Sequence, residues 1–107
     1  MVRALALLLA QLAAAPIVSE MVETGDRRPI DLATFECRDI SRSTVLQRVC
    51  YDRAQQDLIV AINGAYDRYC GVGPDTVDGL LGAPSMGRFF NRNIRRTTPG
   101  GRYDCGA

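Results

Sequence analysis

Four arginines at i, i+4, i+7 and i+8 within "SMGRFFNRNIRR", residues 85–96, are the side chains of this sequence best placed to do chemistry. On a helix, Arg88, Arg92, Arg95 and Arg96 project from neighbouring positions, and Asn91 and Asn93 add donors beside them. Forked guanidinium groups in that arrangement can grip a phosphate or a carboxylate. The same pattern also solvates the outer face of an amphipathic helix, with a gain from the helix dipole near its C-terminus. Acids upstream in the chain offer a third use for the charge, by internal pairing.

Other chemistries are poorly served. With no histidine and no lysine, the chain lacks the usual general base near neutral pH and the usual Schiff-base amine. Asp52, Asp57 and Asp67 fall near one end of a predicted sheet and could form a small acidic site. Turn capping accounts for Asp52 and Asp57 equally well. The four cysteines, Cys37, Cys50, Cys70 and Cys105, include no Cys-x-x-Cys pair, which argues against a zinc site or a redox dithiol. No cofactor, no metal and no enzymatic activity are expected.

An even number of cysteines in a short exported chain points instead to disulfides, and four cysteines allow three pairings. Export is indicated by "MVRALALLLAQLAAAPIVSE", an arginine followed by a Leu/Ala run too short to span a bilayer, ending in small residues. Residues 1–15 therefore read as a signal peptide of a periplasmic or secreted protein. Pro16, awkward just after a cleavage site, keeps an uncleaved anchor as the competing reading. Beyond the leader the charge is segregated: residues 16–84 hold seven arginines against eleven acids, net −4, and residues 85–107 hold five arginines against Asp104, net +4.

At 107 residues the chain holds one domain, with a core small enough that disulfides would matter. Residues 16–36, with two prolines and no periodic apolar pattern, are expected to be an extended linker, leaving residues 37–107 as the domain. "STVLQRVCYD" alternates as a half-buried strand from Ser43, with Val45, Val49 and Tyr51 inward. The Asn63–Gly64 pair predicts a two-residue hairpin turn that sets Ile62 opposite Ala65, Val60 opposite Asp67 and Leu58 opposite Tyr69. Asp67 then falls on the core face, where it needs a tyrosine hydroxyl or an arginine. A short helix starts at Pro74 with Asp75 as its cap, presents Val77, Leu80 and Leu81, and stops at Gly82 and Pro84. Ser85 caps a second helix whose Met86, Phe89, Phe90 and Ile94 share one stripe, and a disulfide through Cys105 ties down the tail. The predicted fold is α+β: a small three-stranded antiparallel meander packed against two short C-terminal helices and stabilised by disulfides.

Read together, "RVCYDRAQQDLIVAINGAYDRYCGVGPDTVDGLLGAPSMGRFFNRNIRR" resembles the KTSC domain over roughly residues 42–96. The resemblance is carried by Tyr51-Asp52, Leu80-Leu81, "APS", Gly87-Arg88-Phe89-Phe90-Asn91 and Ile94-Arg95. It implies the fold above; such domains occur as small stand-alone bacterial proteins and at the end of some lysyl-tRNA synthetases, and RNA binding is suggested for the family. This sequence departs from the family's Tyr-x-Tyr strand: Asp67 stands at the first tyrosine position, with Tyr66 one place early. For stacking unpaired bases only Tyr66, Tyr69 and Tyr103 are available, and the register makes Tyr69 a core residue. Two partners are thus weighed. One is an anionic envelope component, or another protein, meeting Arg88, Asn91, Arg92, Arg95 and Arg96; the other is a nucleic acid using these arginines with Tyr66.

Overall fold

A computed structural model of the chain describes residues 20–25, 28–95 and 103–105. The leader expected over residues 1–15, and Arg96, lie outside them. In chain order the elements are β1 (Met21–Glu23), β2 (Pro29–Asp31), a 3-10 turn (Leu32–Thr34), β3 (Glu36–Asp39), β4 (Arg48–Asp52), β5 (Asp57–Ile62), β6 (Ala65–Tyr69), α1 (Pro74–Gly82) and α2 (Met86–Asn93).

The β5–β6 hairpin follows the predicted register. Asn63 and Gly64 take φ of 52° and 80°, the left-handed conformations of a tight hairpin turn, and Ile62 faces Ala65, Val60 faces Asp67 and Leu58 faces Tyr69. The Gly64 N–H is further held by the Gln47 side chain at 2.8 Å. β4 is shorter than the alternation suggested. The Ser43 hydroxyl accepts from the N–H groups of Val45 and Leu46, both at 3.1 Å, so these residues form a local turn and the strand starts only at Arg48.

The sheet has four strands in the order β3-β4-β5-β6, one more than the predicted meander. The "ECRD" of β3 is too polar and short to carry an alternating pattern; it is held by pairing with β4, with Cys37 directly opposite Cys50. The Cys37–Cys50 disulfide joins that cross-strand pair, and Cys70–Cys105 fixes the tail, where the Tyr103 carbonyl accepts from the Cys70 N–H. Closing chain segments of 13 and 35 residues stabilises the fold by about 3 and about 4 kcal/mol on chain-entropy grounds.

One face of the sheet carries the main core. Val49, Tyr51, Leu58, Val60 and Tyr69 pack against Val77 and Leu80 of α1, against Met86 and Phe90 of α2, and against Ile94 and Tyr103. Phe90 meets Tyr69 edge-on, with ring centroids 5.5 Å apart. The buried Tyr51 hydroxyl donates to the Val72 carbonyl at 2.5 Å. α1 begins with Gly73 as its cap and Pro74 in its first turn, so Asp75 lies inside the helix and does not cap it. Ser85 does cap α2, accepting from the Arg88 N–H at 3.4 Å.

The linker expectation for residues 16–36 is corrected over its described part. Met21–Glu23 and Pro29–Asp31 form an antiparallel pair with Val22 opposite Ile30, followed by the 3-10 turn capped by Asp31. Val22, Leu32, Ile30 and Phe35 cover Cys50 and Ile59 on the second face of the sheet. β4, expected to be half-buried, is therefore covered on both faces. Strands of three residues, one beginning at a proline, leave too short a pattern for alternation to register; their order comes from packing on the sheet.

α2 approaches the loop before β4 so closely that a Cβ on Gly87 would stand 2.8 Å from Val45 Cγ2, whereas a Cβ on Gly82 meets nothing within 4 Å. Gly87→Ala is expected to lower unfolding stability by about 1–3 kcal/mol in urea titrations, and Gly82→Ala to leave it nearly unchanged. Equal effects of the two substitutions would contradict this packing.

Candidate functional site

The charge on the arginines is mostly committed. Arg53 pairs with Asp78 at 3.1 Å, Arg68 with the buried Asp57 at 2.8 Å, and Arg38 with Glu36 at 3.7 Å. Arg48 forms a two-pronged contact with Glu20 and also donates to the Tyr66 hydroxyl at 3.3 Å, and these bonds hold its proton more tightly than usual. Arg42 reaches across to the C-terminal end of α1, donating to the carbonyls of Ala83 at 2.8 Å and Leu81 at 2.7 Å. Arg28 and Arg95 also have partners.

Arg88 and Arg92 differ. One helical turn apart and exposed on α2, their guanidinium groups meet no acid and no carbonyl among the described residues. Both line a groove of about 520 Å³ between α2 and the loop preceding β4. Arg42, Ser43 and Thr44 form one wall, and Ser85, Arg88, Asn91 and Arg92 the other, with Val45, Met86 and Gly87 between them. No described carboxylate lines it. A second depression of about 280 Å³ lies on the far side of Arg88 and Arg92, against Pro84 and Phe89, so the two arginines stand as a ridge between hollows.

Of the predicted site residues, the fold thus brings together Arg88, Asn91 and Arg92. Arg95 does not continue their stripe. Ile94 leaves helical geometry at φ −123° and ψ −59° as its side chain enters the core, so spacing counted along an ideal helix fails beyond Asn93. Arg95 lies instead near Tyr69, whose hydroxyl is made less acidic chiefly by burial and also by Asp67, with Arg95 acting in the opposite sense. Asp67, expected on the core face, is half-buried on the edge strand near that tyrosine and arginine.

Tyr66 is far from serving as an open platform. It packs with Cys50, Ile59 and Val22 on the second face of the sheet, and its hydroxyl accepts from Arg48. Tyr69 and Tyr103 are buried in the main core. Sequence reasoning missed Arg42, Ser43 and Thr44, which lie more than forty residues from α2; reading Ser43 as the start of a strand hid the turn that places them.

Strands β4, β5 and β6, the two helices and the loop that lines the groove fall within one recognisable unit: the family model for the KTSC domain matches residues 42–97, just over half of the chain. The chain belongs to the KTSC domain family. The fold is similar to the crystal structure of the KTSC domain protein YPO2434 from Yersinia pestis, with a TM-score of 0.54 and 24% identity over 57% of this chain and 86% of that one. At that identity the likeness establishes the fold. No curated protein matches the chain.

Residues 20–40 precede the KTSC unit and add β1, β2 and β3 to it. Besides the apolar contacts and the Cys37–Cys50 bridge, two carboxylates hold this cover in place. The Thr34 hydroxyl donates to Asp52 at 2.8 Å and, with the Gln55 and Ala54 N–H groups, keeps the Asp52 carboxyl below its ordinary range against the opposing effect of burial. The Arg48 hydrogen bond does the same for Glu20. A carboxyl whose folded pKa is depressed contributes stability above its unfolded value and loses it as pH falls through the folded one. Unfolding stability is therefore expected to decline as pH drops below about 4, and Asp52→Asn to be less stable at neutral pH with a flatter acid limb. Parallel pH curves for the two proteins in urea titrations would show that Asp52 does not fasten the cover.

Proposed function

We propose that this KTSC chain is a non-catalytic binding module of the cell envelope, which meets an anionic partner through Arg88 and Arg92 beside the α2 groove. The observation that carries this reading is the pair of exposed guanidinium groups with no partner among the described residues, next to a groove that no described carboxylate lines. Surface arginines left over from folding stabilise nothing by pairing, yet they attract an oxyanion strongly. The setting outside the cytoplasm is supported by two disulfides and by the leader-like pattern of residues 1–20. Among the described residues no helix is long and apolar enough to cross a membrane.

Recognition of unpaired RNA bases has less in its favour. Tyr66, Tyr69 and Tyr103 are all engaged in packing, which leaves the arginines without an aromatic surface for stacking.

The test is co-sedimentation with isolated bacterial envelopes. Arg88→Gln/Arg92→Gln is expected to retain wild-type thermal stability and to lose binding about tenfold or more, the effect of removing two charge-assisted contacts. Arg38→Gln/Arg53→Gln, which removes two arginines already paired with acids, is expected to sediment as wild type. Undiminished sedimentation of the Arg88/Arg92 variant would overturn the proposal.

A further inference from the structure

Resting on the arginine-ridge reading, we infer that the α2 groove is a site for a phosphate monoester, with the phosphate held between the Ser43 wall and the Ser85–Asn91 wall.

The polarity of the two serine hydroxyls is the starting point. Ser43 Oγ accepts two backbone N–H groups, from Val45 and Leu46, and Ser85 Oγ accepts the Arg88 N–H. Ser43, with both lone pairs taken, can only donate its O–H, and Ser85, with one lone pair taken, still has its O–H to give, so each serine can serve the groove as a donor. The Asn91 carboxamide, half-buried on the same wall as Ser85, has no partner among the described residues and brings two more N–H donors. Arg88 and Arg92 add unpaired forks. Arg42, pinned by two carbonyls, adds a fixed positive charge on the opposite wall. The groove thus presents donors from both sides and lacks any described acid to fill them.

The placement of these donors selects the shape of the acceptor. A carboxylate is planar and singly charged, with about four acceptor sites confined near one plane. A phosphate monoester carries three terminal oxygens in a tetrahedral array, which can accept from facing walls at once. At about 520 Å³ the groove is much larger than a phosphate and falls in the usual size range for small-molecule sites, leaving room for the esterified group against Val45 and Met86. The same chemistry reaches an envelope protein from two sources, a phosphorylated soluble metabolite or a lipid headgroup bearing a terminal phosphate.

The probes are glycerol 3-phosphate, inorganic phosphate, glycerate as the carboxylate counterpart, and vesicles of phosphatidylcholine with and without phosphatidic acid. Binding is read from backbone amide shifts of Ser43, Ser85, Gly87 and Arg88 in the full chain, and by vesicle co-sedimentation. Glycerol 3-phosphate is expected to move those amides and to bind about tenfold or more tightly than glycerate, a difference of about 1.4 kcal/mol. Asn91→Ala should weaken it several-fold, Arg38→Gln/Arg53→Gln, away from the groove, should leave it unchanged, and Arg88→Gln/Arg92→Gln should abolish it. Selective binding to phosphatidic acid vesicles would assign the phosphate to a lipid, and binding to glycerol 3-phosphate alone to a soluble ester. Equal affinity for glycerate, shifts confined to other residues, or a preference for single-stranded RNA over both monoesters would overturn the inference. If envelope sedimentation requires the arginines while no monoester binds, the assignment of the phosphate fails and the binding module stands; if monoesters bind and envelopes do not, the reverse holds.

Discussion

Strand β4 contributes to two cores, and the rest of the structure is arranged around that constraint. Val49 and Tyr51 point to the helices, while Cys50 and Asp52 point to the other face, and all four are buried. A strand in an antiparallel sheet ordinarily has one wet face. Here the second face needs a cover, and the residues before the KTSC unit provide it. Removing that cover would expose Ile59 and Cys50, both fully buried in the fold, and forfeit the stabilisation of their apolar burial.

The cover also narrows the choice of function. In a sheet with an open second face, Tyr66 and its neighbours would form a surface on which bases could stack. In this chain that surface is occupied from within, by Val22, Leu32 and Phe35, and is tied by a cross-strand disulfide. What stays open is the opposite side of the molecule, where α2 and the loop before β4 leave a groove. The departure of this sequence from the Tyr-x-Tyr pattern fits that division: Asp67 takes the first tyrosine position on an edge strand, and Tyr66 serves the cover.

How much of this could be read from the sequence depended on whether a local rule was sufficient. The Asn63–Gly64 turn fixes its own geometry, and with it the register of β5 and β6 and the burial of Tyr69. Ser85, Gly82 and the spacing of Met86, Phe90 and Ile94 likewise place α2 from neighbours in the chain. β1, β2 and β3 have no such local signature; they exist because a distant strand supplies partners and an apolar surface. The disulfide pairing was open for the same reason, since Cys37 meets Cys50 only through strand register. Half of the groove was illegible because Arg42 and Ser43 join α2 only in three dimensions.

The arginines of α2 illustrate how structure changes the meaning of a charge pattern. Along the sequence, four residues on one helical stripe have equal standing. In the fold, Ile94 is drawn into the core and breaks the stripe, so Arg95 is diverted toward Tyr69 while Arg88 and Arg92 remain together. The same separation applies to the acids upstream, which could have neutralised the helix: Glu20, Glu36, Asp57 and Asp78 are each taken by another arginine. Among the described residues, acids and carbonyls engage the other arginines and leave Arg88 and Arg92. Because a screened surface pair is worth about 1 kcal/mol or less, folding exerts little pressure to pair these two. Their position on the rim of a donor-rich groove is where the proposed anionic partner would meet them.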